Sequence, residues 1–324
     1  MPEARLVTAA SDSAILRQIY DETWAIWSDG LTRANYERYN RAQMSTAWGA
    51  GHLDRVALVD GERLLASAKR YRLTLASRGA EVSCLGIGAV FTPPESRGHG
   101  YGAAIVELMI EEAAREWAAC ALLFSEIDPG FYARLGFEPI PIAEAEITLR
   151  TQPREGAPAV LMRGGDDKDI DNIAAMHAAR ASNYPFALRR SPEYIRFAIS
   201  KRRLLAASGE PGARHVEYFV TEEGGNAVAY IVITRGPEGH VLEEWGDRDP
   251  TGARVGAMLQ VLAARTPTEA APRLRTWLPL DFAPPQIERV AERPAAEQAM
   301  IRGIARATPR LAPEEVFYLK ADAF

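Results

Sequence analysis

The sequence predicts an α/β (α+β) protein of two domains, each built of helices and strands in the same order. Three observations carry this. The chain has 324 residues, room for about two domains of roughly 150 each. Short β-branched apolar runs alternate with stretches of helical periodicity throughout. The order two helices, three strands, one helix, one strand is read twice, on either side of T-Q-P-R-E-G-A-P-A at 151–159, a linker by its two prolines and glycine.

In chain order, 5–9 forms a short strand. Ser11 and Asp12 suit the N-cap of a helix running to about Trp27, and a second helix covers about 33–48. Strands follow at 55–60, 63–75 and 81–91, with Asp60-Gly61 and Arg78-Gly79 as hairpin turns. A helix spans about 101–117, because Ile105, Val106, Met109, Ile110, Ala113 and Trp117 recur at helical spacing opposite Glu107, Glu111 and Arg115. A buried strand at 120–125 leads to a short helix, 128–135, with Asp128 as cap, Pro129 in its first turn and Gly136 as stop. The region 137–150 is strand. In the second half, helices are expected at 169–181, 192–200 and 253–264, and strands at 216–221, 227–235, 240–244, 274–278 and 316–320. The first domain is thus 1–150 and the second 160–324.

Composition bounds the function. The chain is 47% hydrophobic and 25% charged, with a net charge of −5. That profile fits a globular protein and argues against a nucleic-acid partner, which usually meets a basic face. Two cysteines, Cys84 and Cys120, lie in apolar runs, and no C-x-x-C occurs. The five histidines are scattered, so neither a disulfide framework nor a metal site is expected. There is no secretory leader and no apolar run of about 18 residues, so a cytoplasmic protein without a membrane partner is expected.

The most informative segment is V-F-T-P-P-E-S-R-G-H-G-Y-G-A at 90–103, between a strand and a helix. Backbone N–H groups gathered at a helix N-terminus suit a phosphate or pyrophosphate. No Lys-Ser or Lys-Thr follows, as a P-loop needs, and the glycine after Gly98 and Gly100 comes one residue too early for a dinucleotide fingerprint. What remains is R-x-x-G-x-G: Arg97, Gly100, Gly102. The second half has W-G-D-R-D-P-T-G-A-R (245–254) in the equivalent place, whose carboxylates would repel a phosphate, so one cofactor site is expected.

The R-x-x-G-x-G loop resembles the acetyl-coenzyme-A loop of the GNAT acyltransferase superfamily. A second match lies downstream, F-Y-A-R-L-G-F at 131–137, in the F-Y-x-x-x-G-F pattern of that superfamily. The resemblance covers roughly 85–137 and implies the GNAT fold with its splayed mixed sheet, followed by a degenerate GNAT-like second domain that shapes the acceptor site or a homodimer interface. It implies acetyl-CoA as cosubstrate, with no metal. Val90, Phe91 and Thr92 should meet the pantetheine arm where strand four splays from strand five. Arg97, Gly98, His99, Gly100, Tyr101, Gly102 and Ala103 should surround the pyrophosphate. Ser125 and Tyr132 should lie near the thioester, Tyr132 as general acid toward the departing thiolate, a role a positioned phenol can fill.

The general base stays open. The glutamate position of some superfamily members, thirteen residues before Arg97, holds Cys84 here. Candidates are Glu81 and, preferred for its place beside Tyr132, Glu126; positioning alone is the third option. For the acceptor, Trp24 and Trp27 on the aromatic first helix and Glu244 in the acidic run 243–247 are candidates, suited to an ammonium. L-L-F-S-E-I-D-P-G-F-Y-A-R-L-G-F also looks like free-lysine ε-amino acetyltransferases. The expected reaction is therefore N-acetylation of a small-molecule or amino-acid amine. A protein or aminoglycoside acetyltransferase and a catalytically silent acyl-CoA sensor are the alternatives.

Overall fold

The strand-forming runs collect in two sheets. The computed structural model describes residues 4–10, 13–150, 159–236, 239–265, 273–305 and 307–324. The first half contains β1 (Arg5–Thr8), α1 (Ala14–Trp27), α2 (Arg33–Ser45), α3 (Gly49–His52), β2 (Leu53–Asp60), β3 (Arg63–Ser77), β4 (Ala80–Phe91), α4 (Tyr101–Glu116), β5 (Cys120–Ser125), α5 (Gly130–Ala133), β6 (Glu138–Pro139) and β7 (Ala143–Leu149). The second half contains β8 (Met162–Gly164), α6 (Ile170–Ala181), β9 (Phe186–Leu188), α7 (Pro192–Ser208), β10 (His215–Glu223), β11 (Asn226–Gly236), β12 (Gly239–Asp247), α8 (Ala253–Ala264), β13 (Leu274–Trp277), β14 (Ile287–Pro294), β15 (Gln298–Gly303) and β16 (Val316–Phe317).

The first sheet runs β1-β2-β3-β4-β5-β15-β6, with β9 added beside β3 and β16 beside β9; the second runs β8-β10-β11-β12-β13-β7-β14. Both share one plan. Four antiparallel strands meet a fifth in parallel, β4 with β5 and β12 with β13, across a helix crossover. The internal repeat read from element order is therefore also a repeat of topology.

The halves exchange strands. β15 lies against β5, Gln298 opposite Ser125 through Gly303 opposite Cys120, while β7 of the first half lies between β13 and β14. A boundary at 150 divides the sequence but not the sheets. All of the expected linker 151–159 but its last residue, and the caps Ser11 and Asp12, lie outside the described residues; the Ser13 side chain accepts from the Leu16 N–H at 3.2 Å and caps α1. α2 stops at Ser45, short of the expected 48, because Thr46 turns to an extended conformation. α7 continues eight residues past the expected Ser200, through K-R-R-L-L-A-A-S, a run of good helix formers.

The core follows the periodicities. Ile105, Val106, Met109 and Ile110 of α4 pack on Leu85, Ile87, Ala121 and Leu123 of the parallel pair. Val255, Met258, Leu259 and Leu262 of α8 pack on Ile231, Ile233 and the exchanged Ile147. Each such side chain contributes about 1.5–3 kcal/mol by leaving water. A third cluster joins the halves: Trp48, Leu73 and Leu75 meet Phe186, Tyr194 and Phe197. This part of the first sheet is thereby roofed by the second half.

Candidate functional site

The glycine loop is built as a cradle. Pro94–Ser96 makes one 3-10 turn, and Arg97 returns to extended backbone. Gly98 (φ 79°) and Gly100 (φ 81°) are left-handed, which L side chains rarely tolerate. Gly100 is the N-cap of α4, and the first intrahelical bond there is Ala104 N–H to Gly100 O, 2.9 Å. The N–H groups of Tyr101, Gly102 and Ala103 are thus free of the helix ladder and sit at its positive end. A Cβ on Gly102 would stand 3.2 Å from Thr92 Oγ1, so this turn packs closely on the end of β4. Arg97 Nε donates to Thr92 O at 3.3 Å, and the His99 ring stacks on Tyr101 with centroids 5.8 Å apart.

Beside this cradle β4 leaves β5. Their parallel register runs from Cys84 opposite Cys120 to Ile87 opposite Leu123 and goes no further. On its other edge β4 is irregular against β3: Lys69 faces Gly88, but Ser67 faces Phe91, and Ala89 has φ 47°. This bulge takes Ala89 and Val90 out of the ladder, and both line a cavity of about 530 Å³. Phe124, Ser125, Glu126 and Tyr132 line the same cavity.

Tyr132 stands on α5, wedged between Phe131 (4.9 Å) and Phe137 (6.0 Å). Burial pushes its phenol up to about 12, so it carries its proton at neutral pH. Ser125 is buried, and its hydroxyl donates to Ile127 O at 3.0 Å, which shapes the turn carrying Glu126. Glu126 is exposed at the cavity edge. Glu81 lies elsewhere, paired with Arg189 at 3.2 Å on the far end of β4. Cys84 is fully buried beside Cys120; burial pushes its thiol up, and it cannot serve as base. Among the described residues no cluster of three His, Cys, Asp or Glu is placed to hold a metal ion, and no helix is long and apolar enough to cross a membrane.

The three acceptor candidates separate. Trp27 lines the cavity and meets Phe91 edge-on at 6.3 Å. Trp24 points away, 37% exposed, its indole N–H donating to Leu31 O. Glu244 is fully buried and ion-paired to Arg190 at 2.7 Å, outside the cavity wall. Its neighbour Glu243, one residue out of phase on β12, faces the cavity and pairs with Arg202 at 2.9 Å.

Sequence reasoning missed several lining residues. Arg55 and Lys69 are cations in the strand runs R-V-A-L-V and L-A-S-A-K-R-Y, and a charge amid such buried positions was the available signal. Lys201 and Phe324 come from the second half and could not be placed without the fold. Phe324 occupies room left by two glycines of β4: a Cβ on Gly86 would meet its ring at 2.9 Å, and one on Gly88 its main-chain oxygen at 3.1 Å.

Comparison with known proteins agrees with this geometry. Residues 17–140 match the family model described as an acetyltransferase (GNAT) domain. This segment is a GNAT acetyltransferase domain, of a family that works with acyl-CoA donors and amine acceptors. Among solved structures, a “Probable N-Acyltransferase” of Enterococcus faecalis V583 is similar at 16% identity, covering 94% of this chain and 73% of that one, with a TM-score of 0.70. A GCN5-related N-acetyltransferase of Anabaena variabilis is similar at 13% identity, covering 93% and 73%, with a TM-score of 0.68. Saccharomyces cerevisiae N-myristoyltransferase with bound myristoyl-CoA is similar at 12% identity, covering 95% and 84%, with a TM-score of 0.54. At these identities the likeness is one of fold, and it extends over both halves. A search of curated proteins found no significant match.

Proposed function

We propose that the protein transfers an acetyl group from acetyl-CoA to the primary amine of a small molecule or amino acid by direct attack on the thioester. One observation carries this: the splayed end of β4 (Ala89 and Val90) and Tyr132 line a single cavity, and the chain runs from that strand end straight into the glycine cradle at the start of α4. The pyrophosphate would sit at 97–103 and the pantetheine arm along Val90, Phe91 and Thr92, placing the thioester between Ser125 and Tyr132. A neutral amine attacks the carbonyl carbon, the C–N bond forms, and a tetrahedral oxyanion appears near free β4 N–H groups. Collapse breaks the C–S bond. The thiolate takes the proton of Tyr132, and the amine proton leaves to Glu126 directly or through water.

The test is thiol release from acetyl-CoA with a panel of primary amines, lysine included. Amine-dependent thiol release supports the proposal. Saturable acetyl-CoA binding without thiol release from any amine would contradict it and point to an acyl-CoA sensor.

A further inference from the structure

The acceptor side of the cavity is unevenly charged. Arg55, Lys69 and Gly88 occupy one row across β2, β3 and β4, Arg55 opposite Lys69 and Lys69 opposite Gly88, so the two cations share the face that opens on the cavity. Neighbouring strands lie about 4.8 Å apart, which puts this pair roughly 5 to 10 Å from the β4 backbone where the thioester is placed. Lys201 of α7 closes on them from the second half.

These three cations lack what buried cations usually have. Arg55 is 2% exposed; Nη2 reaches Asn40 Oδ1 at 3.2 Å, but Nη1 is buried without a hydrogen-bond partner. Its guanidinium lies over the Tyr20 ring at 5.9 Å. Lys69 is desolvated and further pushed down by Arg55 and Lys201, with Asp29 opposing weakly; Lys201 is lowered to about 8 by burial and then Arg202, against Glu243 and Asp29. The cavity does contain acids, but most are engaged. Asp29 pairs with Arg214 at 3.8 Å, Glu243 with Arg202 at 2.9 Å, and Glu144 and Glu297 both with Lys320, at 3.3 and 2.6 Å. Asp29 and Glu243 act on the lysines only at longer range, since each is paired elsewhere, and among the described residues no carboxylate is in ion-pair contact with Arg55, Lys69 or Lys201. Buried cations without an anion in contact are costly, and an anion between them would relieve the mutual repulsion and satisfy Arg55 Nη1.

We propose that the acceptor carries an anionic group, a carboxylate or a phosphate, which Arg55, Lys69 and Lys201 hold at one end of the cavity while its amine meets the thioester at the other. That the ligand is an amine acceptor rests on the acyl-transfer proposal above; the anion site does not. The earlier expectation of an acidic, ammonium-binding pocket built on Glu244 gives way here, because that carboxylate is spent on Arg190.

Binding and turnover are measured separately. Calorimetry on the CoA-saturated protein compares β-alanine with β-alaninamide for the carboxylate, and phosphoethanolamine with ethanolamine for the phosphate. At least one anionic member should bind about tenfold tighter than its counterpart, and whichever pair shows it identifies the group. Lys69→Met and, independently, Lys201→Met should each reduce that preference several-fold, with the melting temperature kept or raised. Equal binding within both pairs, no binding by any of the four, or a preference that persists in both variants overturns the anion site. Preferential binding without thiol release keeps the anion site and refutes acyl transfer. Thiol release favouring the uncharged members keeps acyl transfer and refutes the anion site.

Discussion

Arg190 is the clearest place to test what holds the two halves together. Its side chain and that of Glu244 are fully buried, joined at 2.7 Å, and Asp322 approaches the same guanidinium at 3.4 Å. The ring of Tyr194 lies 5.4 Å from it, and Asp322 also caps Leu319 N–H at 2.9 Å. The group thus ties the entry to α7, the middle of β12 and the segment after β16. In Arg190→Gln, two carboxylates would stay buried without their cation. Breaking a buried pair this way costs about 3–5 kcal/mol. At about 2 °C per kcal/mol for a chain of this size, thermal unfolding should shift down by roughly 6–10 °C. Calorimetric or circular-dichroism melts would read it. Arg190→Met with Glu244→Leu and Asp322→Leu removes every charge together and should recover at least half the loss, since replacing a whole buried ionic group by apolar residues is often neutral. A shift below about 2 °C in Arg190→Gln would refute the reasoning.

Three further outcomes are expected. His177 is buried against Phe317, and burial, then Arg190 and Arg189, hold its imidazole well below the usual value; its contribution is complete above about pH 6.5 and is lost as pH falls, by about 1.4 kcal/mol per unit while the unfolded ring protonates and the folded one does not. Denaturant melts at pH 7.5, 6 and 5 should show that slope shrinking in His177→Leu; an unchanged slope would assign it to other groups. Tyr132→Phe should lower kcat at least about tenfold with acetyl-CoA affinity nearly kept, and full turnover would remove the phenol from the proton path. A fragment of residues 1–150 should not fold alone, because β5 would lose β15 and β7 would have no sheet to join; cooperative thermal unfolding of that fragment would contradict the strand exchange.

Much of this was written locally. The α4 stripe, the Cys120–Ser125 strand and the glycine loop each rest on spacing or a conformational need within a few residues, and the structure places them as expected. What escaped depends on long-range pairing. β14, I-E-R-V-A-E-R-P, is largely exposed and charged, and β15 carries a short Q-A-M-I-R-G pattern; neither announces a strand until β7 and β5 are beside them. Glu243 and Glu244 show the same limit at one residue. Alternation along β12 puts adjacent acids on opposite faces, and the sequence does not say which face meets the cavity. Arg55 and Lys69 were legible as charges in strand runs, but their partnership is a matter of register across β2 and β3.

The most direct test of the central claim is titration calorimetry with acetyl-CoA on the wild-type protein and on Arg97→Glu/Gly100→Asp. The substitutions put two carboxylates where the pyrophosphate should sit and force a side chain onto a left-handed position. Micromolar binding by the wild type, weakened at least about a hundredfold in a double variant that still melts cooperatively, is the predicted result. Equal affinity of the two proteins would contradict it and place the donor elsewhere than on the glycine cradle.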